Sequence, residues 1–181
     1  MRVYSSNTSF ISVREKHHIV VEKHPYAENL NKKLLNDIEL FKFYYKDNKL
    51  NNSNIFGGKC SLLPHQITPS MQIVLDWIEN ILSMQWNNFY SMNSKINMST
   101  WFAKYNKGEY TRDHNHELHA HHSFVYFVKC PKGSSPLVFT TSNKKIKAHE
   151  GKVVIFPGNV YHHVPKNNCD DRIVFVGNIT V

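Results

Sequence analysis

The chain has 181 residues, 41% of them hydrophobic and 13% aromatic, which suits one domain around a single apolar core and argues against a disordered tail or tandem array. Its formal charge of +8 comes from 22 basic and 14 acidic residues, chiefly lysines scattered among asparagines. That pattern reads as solvated surface and an AT-rich coding bias, not as a nucleic-acid footprint. No run reaches the roughly eighteen apolar residues of a membrane span, and MRVYSSNTSFISV lacks a secretory apolar segment, so a cytoplasmic location is expected. Cys60, Cys130 and Cys169 are spaced too widely for a disulfide framework or a zinc-binding pair and are read as reduced.

In chain order, Arg2 to Ser5 and His18 to Glu22 are candidates for short strands. Ala27 to Tyr45 places Leu30, Leu34, Ile38 and Phe41 at helical spacing. After the polar segment Asp47 to Asn54, Pro69 and Ser70 open a second helix, whose apolar stripe is Met71, Val74, Leu75, Ile78, Ile81 and Leu82. From Thr100 the helical period gives way to short runs rich in valine, isoleucine and aromatics. WFAKYN, SFVYFV, PLVFT, KVVIF and RIVFVGNITV are strand-like runs broken by Gly, Pro and Asn, with Lys132 to Ser135 a second polar connection. The expected architecture is one α+β domain: a helical layer with flanking strands over residues 1–98, packed on an antiparallel β core over 99–181.

Chemistry concentrates in the β half. His114 and His116 form an H-x-H pair, and two residues that far apart on a strand point to one face. A third histidine from a distant strand, His162, could close a three-nitrogen metal site with open positions. With twelve histidines, chance pairs also arise. His119 and His121 repeat the H-x-H spacing, while His17, His18, His24, His65 and His149 read as exposed or packed residues. The tripeptide His114-Asn115-His116 is not read as a nuclease motif, because no ββα-metal context follows.

The surroundings of the pair carry a resemblance. Tyr105, two residues, Gly108, five residues and His114, then Phe156-Pro157, His162 and Arg172 ten residues later, resemble the core of the 2-oxoglutarate and Fe(II)-dependent oxygenases in their prolyl-hydroxylase-like form. Within that superfamily the pattern is similar to a branch common in marine phages and bacteria. The resemblance spans Trp101 to Ile179 and implies a double-stranded β-helix, the jelly-roll or cupin-like fold. By the same resemblance His114, His116 and His162 hold Fe(II), 2-oxoglutarate chelates the metal, O2 takes the last position, and Arg172 grips the distal carboxylate. Tyr105 is a second contact to that carboxylate, and Tyr126 and Asn178 line the same pocket. His162 is preferred over His163 because an extended segment turns neighbours to opposite faces.

Two departures accompany the match. His116 stands where most members have aspartate, and the adjacent Asp113 and Glu117 are carboxylates that could replace it. Val174 stands where many members have a serine two residues after the arginine. The implied reaction is hydroxylation or demethylation coupled to decarboxylation of 2-oxoglutarate, on a substrate for which family analogy favours a protein or peptide side chain. Lys144, Lys145 and Lys147 would suit an acidic protein or nucleic acid, although a free lysine loop is the simpler account. Three other readings stay open: a cupin-like three-histidine dioxygenase or metal-binding protein independent of 2-oxoglutarate, an inactive structural module, and an Arg172 that merely pairs with Asp170 or Asp171. If the gene is a phage's, the location is the host cytoplasm.

Overall fold

The computed structural model describes residues 16–41, 67–86 and 95–181, and three short strands at 43–45, 55–56 and 59–61. The expected strand at Arg2 to Ser5, the polar segment Asp47 to Asn54 and His65 lie outside those residues. Strand β1 (Val20–Lys23) precedes helix α1 (Ala27–Ile38), and strands β2 (Phe43–Tyr45), β3 (Ile55–Phe56) and β4 (Lys59–Ser61) lead to α2 (Pro69–Gln85). The rest is β structure: β5 (Asn97–Tyr105), β6 (Tyr110–His114), β7 (His122–Lys129), β8 (Leu137–Phe139), β9 (Lys144–Ile146), β10 (Lys152–Pro157), β11 (His162–Val164) and β12 (Arg172–Thr180).

These strands form a seven-stranded sheet ordered β1-β10-β7-β12-β5-β4-β2 and a five-stranded sheet ordered β3-β6-β11-β8-β9. The paired strands are antiparallel, as in β1 with β10, β12 with both β5 and β7, and β11 with both β6 and β8. This is the expected α+β double-stranded β-helix. The first half does supply a helical layer, but it also sends strands into both sheets, because non-local pairing recruits short segments that carry no periodic signal of their own.

β12 shows how the layers are built. Ile173, Phe175 and Ile179 point to the helices and are at most 4% exposed, while Arg172, Val174, Val176 and Asn178 point the other way, between the sheets. The helix-facing core joins Leu30, Leu34 and Ile38 of α1 and Met71, Val74, Ile78 and Leu82 of α2 to Phe102, Phe124, Tyr126 and Phe175 of the large sheet. Each such side chain contributes about 1.5–3 kcal/mol by leaving water. Thr68 caps α2 by accepting a hydrogen bond from the Met71 amide at 3.3 Å, with Pro69 in the first turn where its missing N–H costs nothing. The Thr68 and Ser70 hydroxyls both donate to Asp37, tying the start of α2 to the end of α1.

α1 ends at Ile38, not Tyr45. The amides of Glu39, Leu40 and Phe41 bond three residues back, tightening the last turn, and the aromatic run Phe43–Tyr45 pairs as a strand with β4. Lys144 and Lys145, expected in a free loop, lie on β9, the edge of the small sheet, where exposed lysines discourage further pairing. Gly151, at φ +77°, lets the turn before β10 touch α1, since a Cβ there would stand 2.0 Å from that of Ala27. Among the described residues no helix is long and apolar enough to cross a membrane.

Candidate metal centre

His114 ends β6, His162 begins β11, and the two are direct partners across the strand pair. His116 lies beyond the strand, in the connection to β7, so the same-face rule for strand residues does not place it. Its backbone is instead fixed by the turn after β10: the His116 amide donates to the Gly158 carbonyl at 2.7 Å, and the Gly158 amide donates to His121 at 2.9 Å. Gly158 must be glycine for that approach, because a Cβ would meet the Ala120 carbonyl at 2.0 Å. The three imidazoles converge, with centroids 4.3 Å apart for His114 and His162, 4.9 Å for His114 and His116, and 5.2 Å for His116 and His162. Their ligand nitrogens lie within 4.8 Å of one another, close enough to hold one metal ion.

The ring orientations suit that task. The Nδ1–H of His114 donates to the Arg112 carbonyl at 2.8 Å and that of His162 to the Val160 carbonyl at 2.9 Å, which leaves Nε2 of each as the free lone pair. Burial lowers the pKa of all three, to about 4 for His116 and about 3 for His162, with the neighbouring histidines adding to the effect in those two. Each ring is therefore neutral at pH 7, the form that binds a metal.

No carboxylate joins the cluster among the described residues. Asp113 accepts from the Thr140 hydroxyl, which leaves the Nδ1–H of His163 to donate to Thr140 Oγ1 at 2.9 Å. His163 and Asp113 thus share the opposite face of the small sheet, and Glu117 is exposed.

Arg172, the first residue of β12, is 0% exposed, and none of its three guanidinium nitrogens has a hydrogen-bond partner among the described residues. The guanidinium carbon sits 4.8 Å from the centroid of the Tyr105 ring and 5.5 Å from that of Phe127. Burial lowers its pKa, opposed mainly by Tyr105. The simple surface ion pair does not form: Asp171 is engaged by Lys104 and Lys129, and Asp170 accepts from the Lys107 amide at 3.0 Å. An unpaired buried cation costs several kcal/mol, so this position is built for an anion.

The guanidinium and the histidines line one cavity of about 350 Å³ between the sheets. Its wall includes Tyr105, whose hydroxyl shares a 2.7 Å hydrogen bond with Thr111, and the apolar Leu137, Val164 and Val174. Val174 leaves the expected serine position without a hydroxyl. Asn178 lines the same cavity six residues along β12 from Arg172.

Tyr126 does not line it. It faces the helices, where its hydroxyl donates to Asn31 at 2.7 Å, because β7 sends Ser123, Val125 and Phe127 to the cavity side and Tyr126 to the other. Trp101, Thr111 and Ser123 line the cavity without having been singled out from the sequence. Alternation from Tyr105 along β5 would have found Trp101, whereas Ser123 and Thr111 needed the pairing register.

No family model matches the sequence, and no curated protein does. Solved structures do match. The viral collagen prolyl hydroxylase of Paramecium bursaria Chlorella virus-1, in complex with 2-oxoglutarate, superimposes with a TM-score of 0.68 at 14% identity, over 89% of this chain and 94% of that one. The chain has the fold of the 2-oxoglutarate oxygenases. A prolyl hydroxylase of Trichoplax adhaerens, bound to a hypoxia-inducible-factor peptide, gives 0.63 at 12% identity over 88% and 82%. HygX of Streptomyces hygroscopicus, with nickel, 2-oxoglutarate and hygromycin B bound, gives 0.64 at 8% over 89% and 82%. At these identities the likeness is one of architecture.

Proposed function

We propose that the chain is an Fe(II)- and 2-oxoglutarate-dependent oxygenase that hydroxylates or demethylates its substrate. The observation that carries this reading is the fully buried guanidinium of Arg172, which has no anionic partner among the described residues, sharing one cavity with a neutral histidine triad. A dianionic acid that chelates a metal through one end and presents a carboxylate at the other satisfies both groups at once.

His114, His116 and His162 would hold the iron, and Arg172 would grip the distal carboxylate bidentately, stacked on Tyr105. The Tyr105 and Thr111 hydroxyls are the nearby polar groups that take the place of the serine missing at Val174. Iron with 2-oxoglutarate and dioxygen supplies oxidative decarboxylation, to succinate and carbon dioxide, coupled to insertion of one oxygen atom at a C–H bond. The apolar walls exclude water from that chemistry, and the chain's own groups orient and shield without acting as acid or base. A protein or peptide side chain is the favoured substrate, supported by the peptide bound to the Trichoplax neighbour.

The all-histidine ligand set favours one second reading, a three-histidine metal dioxygenase that does not use 2-oxoglutarate. Anaerobic Fe(II) loading followed by 2-oxoglutarate separates the two. A visible charge-transfer band in the wild type, absent in His116→Ala and Arg172→Ala, is the expected result. Metal binding with no band, and no effect of Arg172→Ala, would overturn the 2-oxoglutarate assignment in favour of the second reading.

A further inference from the structure

Arg172 is a buried cation with carboxylates close by in the chain and the sheet, yet each of those is held by another group. Asp170 accepts from the Lys107 amide at 3.0 Å, Glu109 from the Asn106 amide at 2.5 Å and Glu150 from the Cys130 amide at 2.9 Å. Asp171, the chain neighbour of Arg172, is held by charge instead. Lys104 pairs with its Oδ1 at 2.5 Å, and Lys129 pairs with its Oδ2. Burial alone would raise the pKa of this carboxyl, but the two ammonium groups hold it below the ordinary value, so it stays ionised at neutral pH.

The pairing register explains how the two neighbours are kept apart. Lys104 of β5 and Lys129 of β7 are both direct partners of Ile173, so their stems share its helix-facing side of the sheet. There they converge on Asp171, while the guanidinium of Arg172 lines the cavity on the other side. Asp171 stands at φ +63°, a left-handed conformation that Asp and Asn tolerate, and it precedes the first residue of β12. Its amide donates to the Asn106 side chain at 3.3 Å, outside the strand ladder. The side its carboxylate takes is therefore decided by which cation attracts it. With the lysines gone, the strongest attraction left is the guanidinium of the next residue, which is 0% exposed and so acts through a low dielectric.

We propose that Lys104 and Lys129 are positioning residues for cosubstrate binding: by holding Asp171 on the helix side they keep it from pairing with Arg172, which stays open to the carboxylate of an incoming acid. The inference rests on the oxygenase reading for the identity of that acid, though not for the internal contact, and the test keeps the two apart.

The test compares the wild type with Lys104→Met/Lys129→Met, with Asp171→Asn, and with all three changes together. Met keeps much of each lysine stem, and Asn keeps the left-handed backbone. Binding of 2-oxoglutarate to the Zn(II)-loaded proteins is measured by calorimetry. If the internal pair forms in about nine molecules of ten, the double-lysine variant should bind about tenfold more weakly, with Zn(II) affinity unchanged. Asp171→Asn alone should change the affinity less than about twofold, yet in the lysine-free background it should restore binding to within about threefold of the wild type. A mere field effect of the removed charges would make the changes additive, and additivity overturns the inference, as does unchanged affinity in the double-lysine variant. The Arg172 Nε–H signal of the ligand-free proteins, followed by 1H–15N spectroscopy, gives a readout that needs no cosubstrate. It should move in the double-lysine variant and return when Asp171→Asn is added; a signal that stays in place also overturns the inference. Should the double change unfold the chain, the same cycle with Lys129→Met alone is read at this signal, with the same two outcomes. Absence of 2-oxoglutarate binding in the wild type would instead strike the oxygenase reading, while the Arg172 signal would still decide whether the lysines withhold Asp171.

Discussion

The two faces of the seven-stranded sheet bury polar groups on opposite terms. On the helix side Asn31 is satisfied: its amide donates to the Val128 carbonyl at 2.8 Å and its oxygen accepts from Tyr126. On the cavity side Arg172 is buried as deeply and its guanidinium has no partner among the described residues. One strand, β12, serves both, with Phe175 on the helix face and Arg172 and Val174 on the other. Satisfied burial holds the fold together, whereas unsatisfied burial is a standing cost that only a ligand relieves. Substitutions on the two faces should accordingly separate stability from binding.

The largest contrast is expected between Phe175→Ala and Arg172→Met. Phe175 is 0% exposed among aromatic neighbours, with Phe102 at 4.9 Å and Phe124 at 5.7 Å between centroids. Its truncation should cost about 3–5 kcal/mol in urea unfolding. Arg172→Met removes an unpaired buried cation while keeping much of its volume, so the ligand-free protein should be as stable as the wild type or more stable by about 1–4 kcal/mol. The same variant should lose 2-oxoglutarate binding by calorimetry. An Arg172→Met protein as unstable as Phe175→Ala would break the comparison and make the guanidinium structural.

Acid titration gives a second, smaller contrast, because each face also buries a neutral histidine. His122 lies against the Trp86 ring at 4.5 Å, and its pKa falls to about 4 through burial and then His121, while that of His162 falls to about 3. Both folded values lie below the unfolded value near 6.5. The stability they contribute is complete above pH 6.5 and is lost as pH falls from there toward about 4 for His122 and about 3 for His162, since the unfolded chain then binds protons that the folded one refuses. His122→Phe and His162→Leu should each flatten the metal-free curve by on the order of 2 kcal/mol across that window. Zn(II) should add stability that also falls with acid, and only His162→Leu should remove that increment. Its disappearance in His122→Phe would mean that the two faces are coupled.

The sequence made some of this difference legible and hid the rest for physical reasons. The alternating valines and aromatics of β5 and β12, and the spacing of Tyr105, Gly108, His114, His162 and Arg172, marked the cavity wall and the histidines. β7 was ambiguous because it is buried on both faces from His122 to Val128, so no polar alternation showed whether Tyr126 looked toward the helices or the cavity. α1 was read too long because Phe41 keeps helical spacing and packs on the core from the turn beyond the helix end. His116 was reached by the right residue pattern through the wrong geometry: the turn at Gly158 fixes it, not a strand, and long-range backbone bonds leave no periodic trace.

Tyr126 gives the smallest effect and the finest discrimination. Its neighbours Val125 and Phe127 lie on the cavity side, so a one-residue error in register would bring its hydroxyl into the site. In the structure that hydroxyl is 0% exposed, donates to Asn31 at 2.7 Å, and has its pKa raised by burial. Tyr126→Phe keeps the ring and removes the bond, which should cost about 1 kcal/mol and leave the Asn31 oxygen without its donor. Asn31→Ala should cost about 1–3 kcal/mol, because it strands the hydroxyl and also frees the Val128 carbonyl. The double variant should cost less than the sum of the two, since the second change removes a group the first left unpaired. 2-Oxoglutarate affinity should be unchanged in all three proteins. A Tyr126→Phe protein with wild-type stability and weakened cosubstrate binding would place the tyrosine on the cavity side and reverse the assignment of faces along β7.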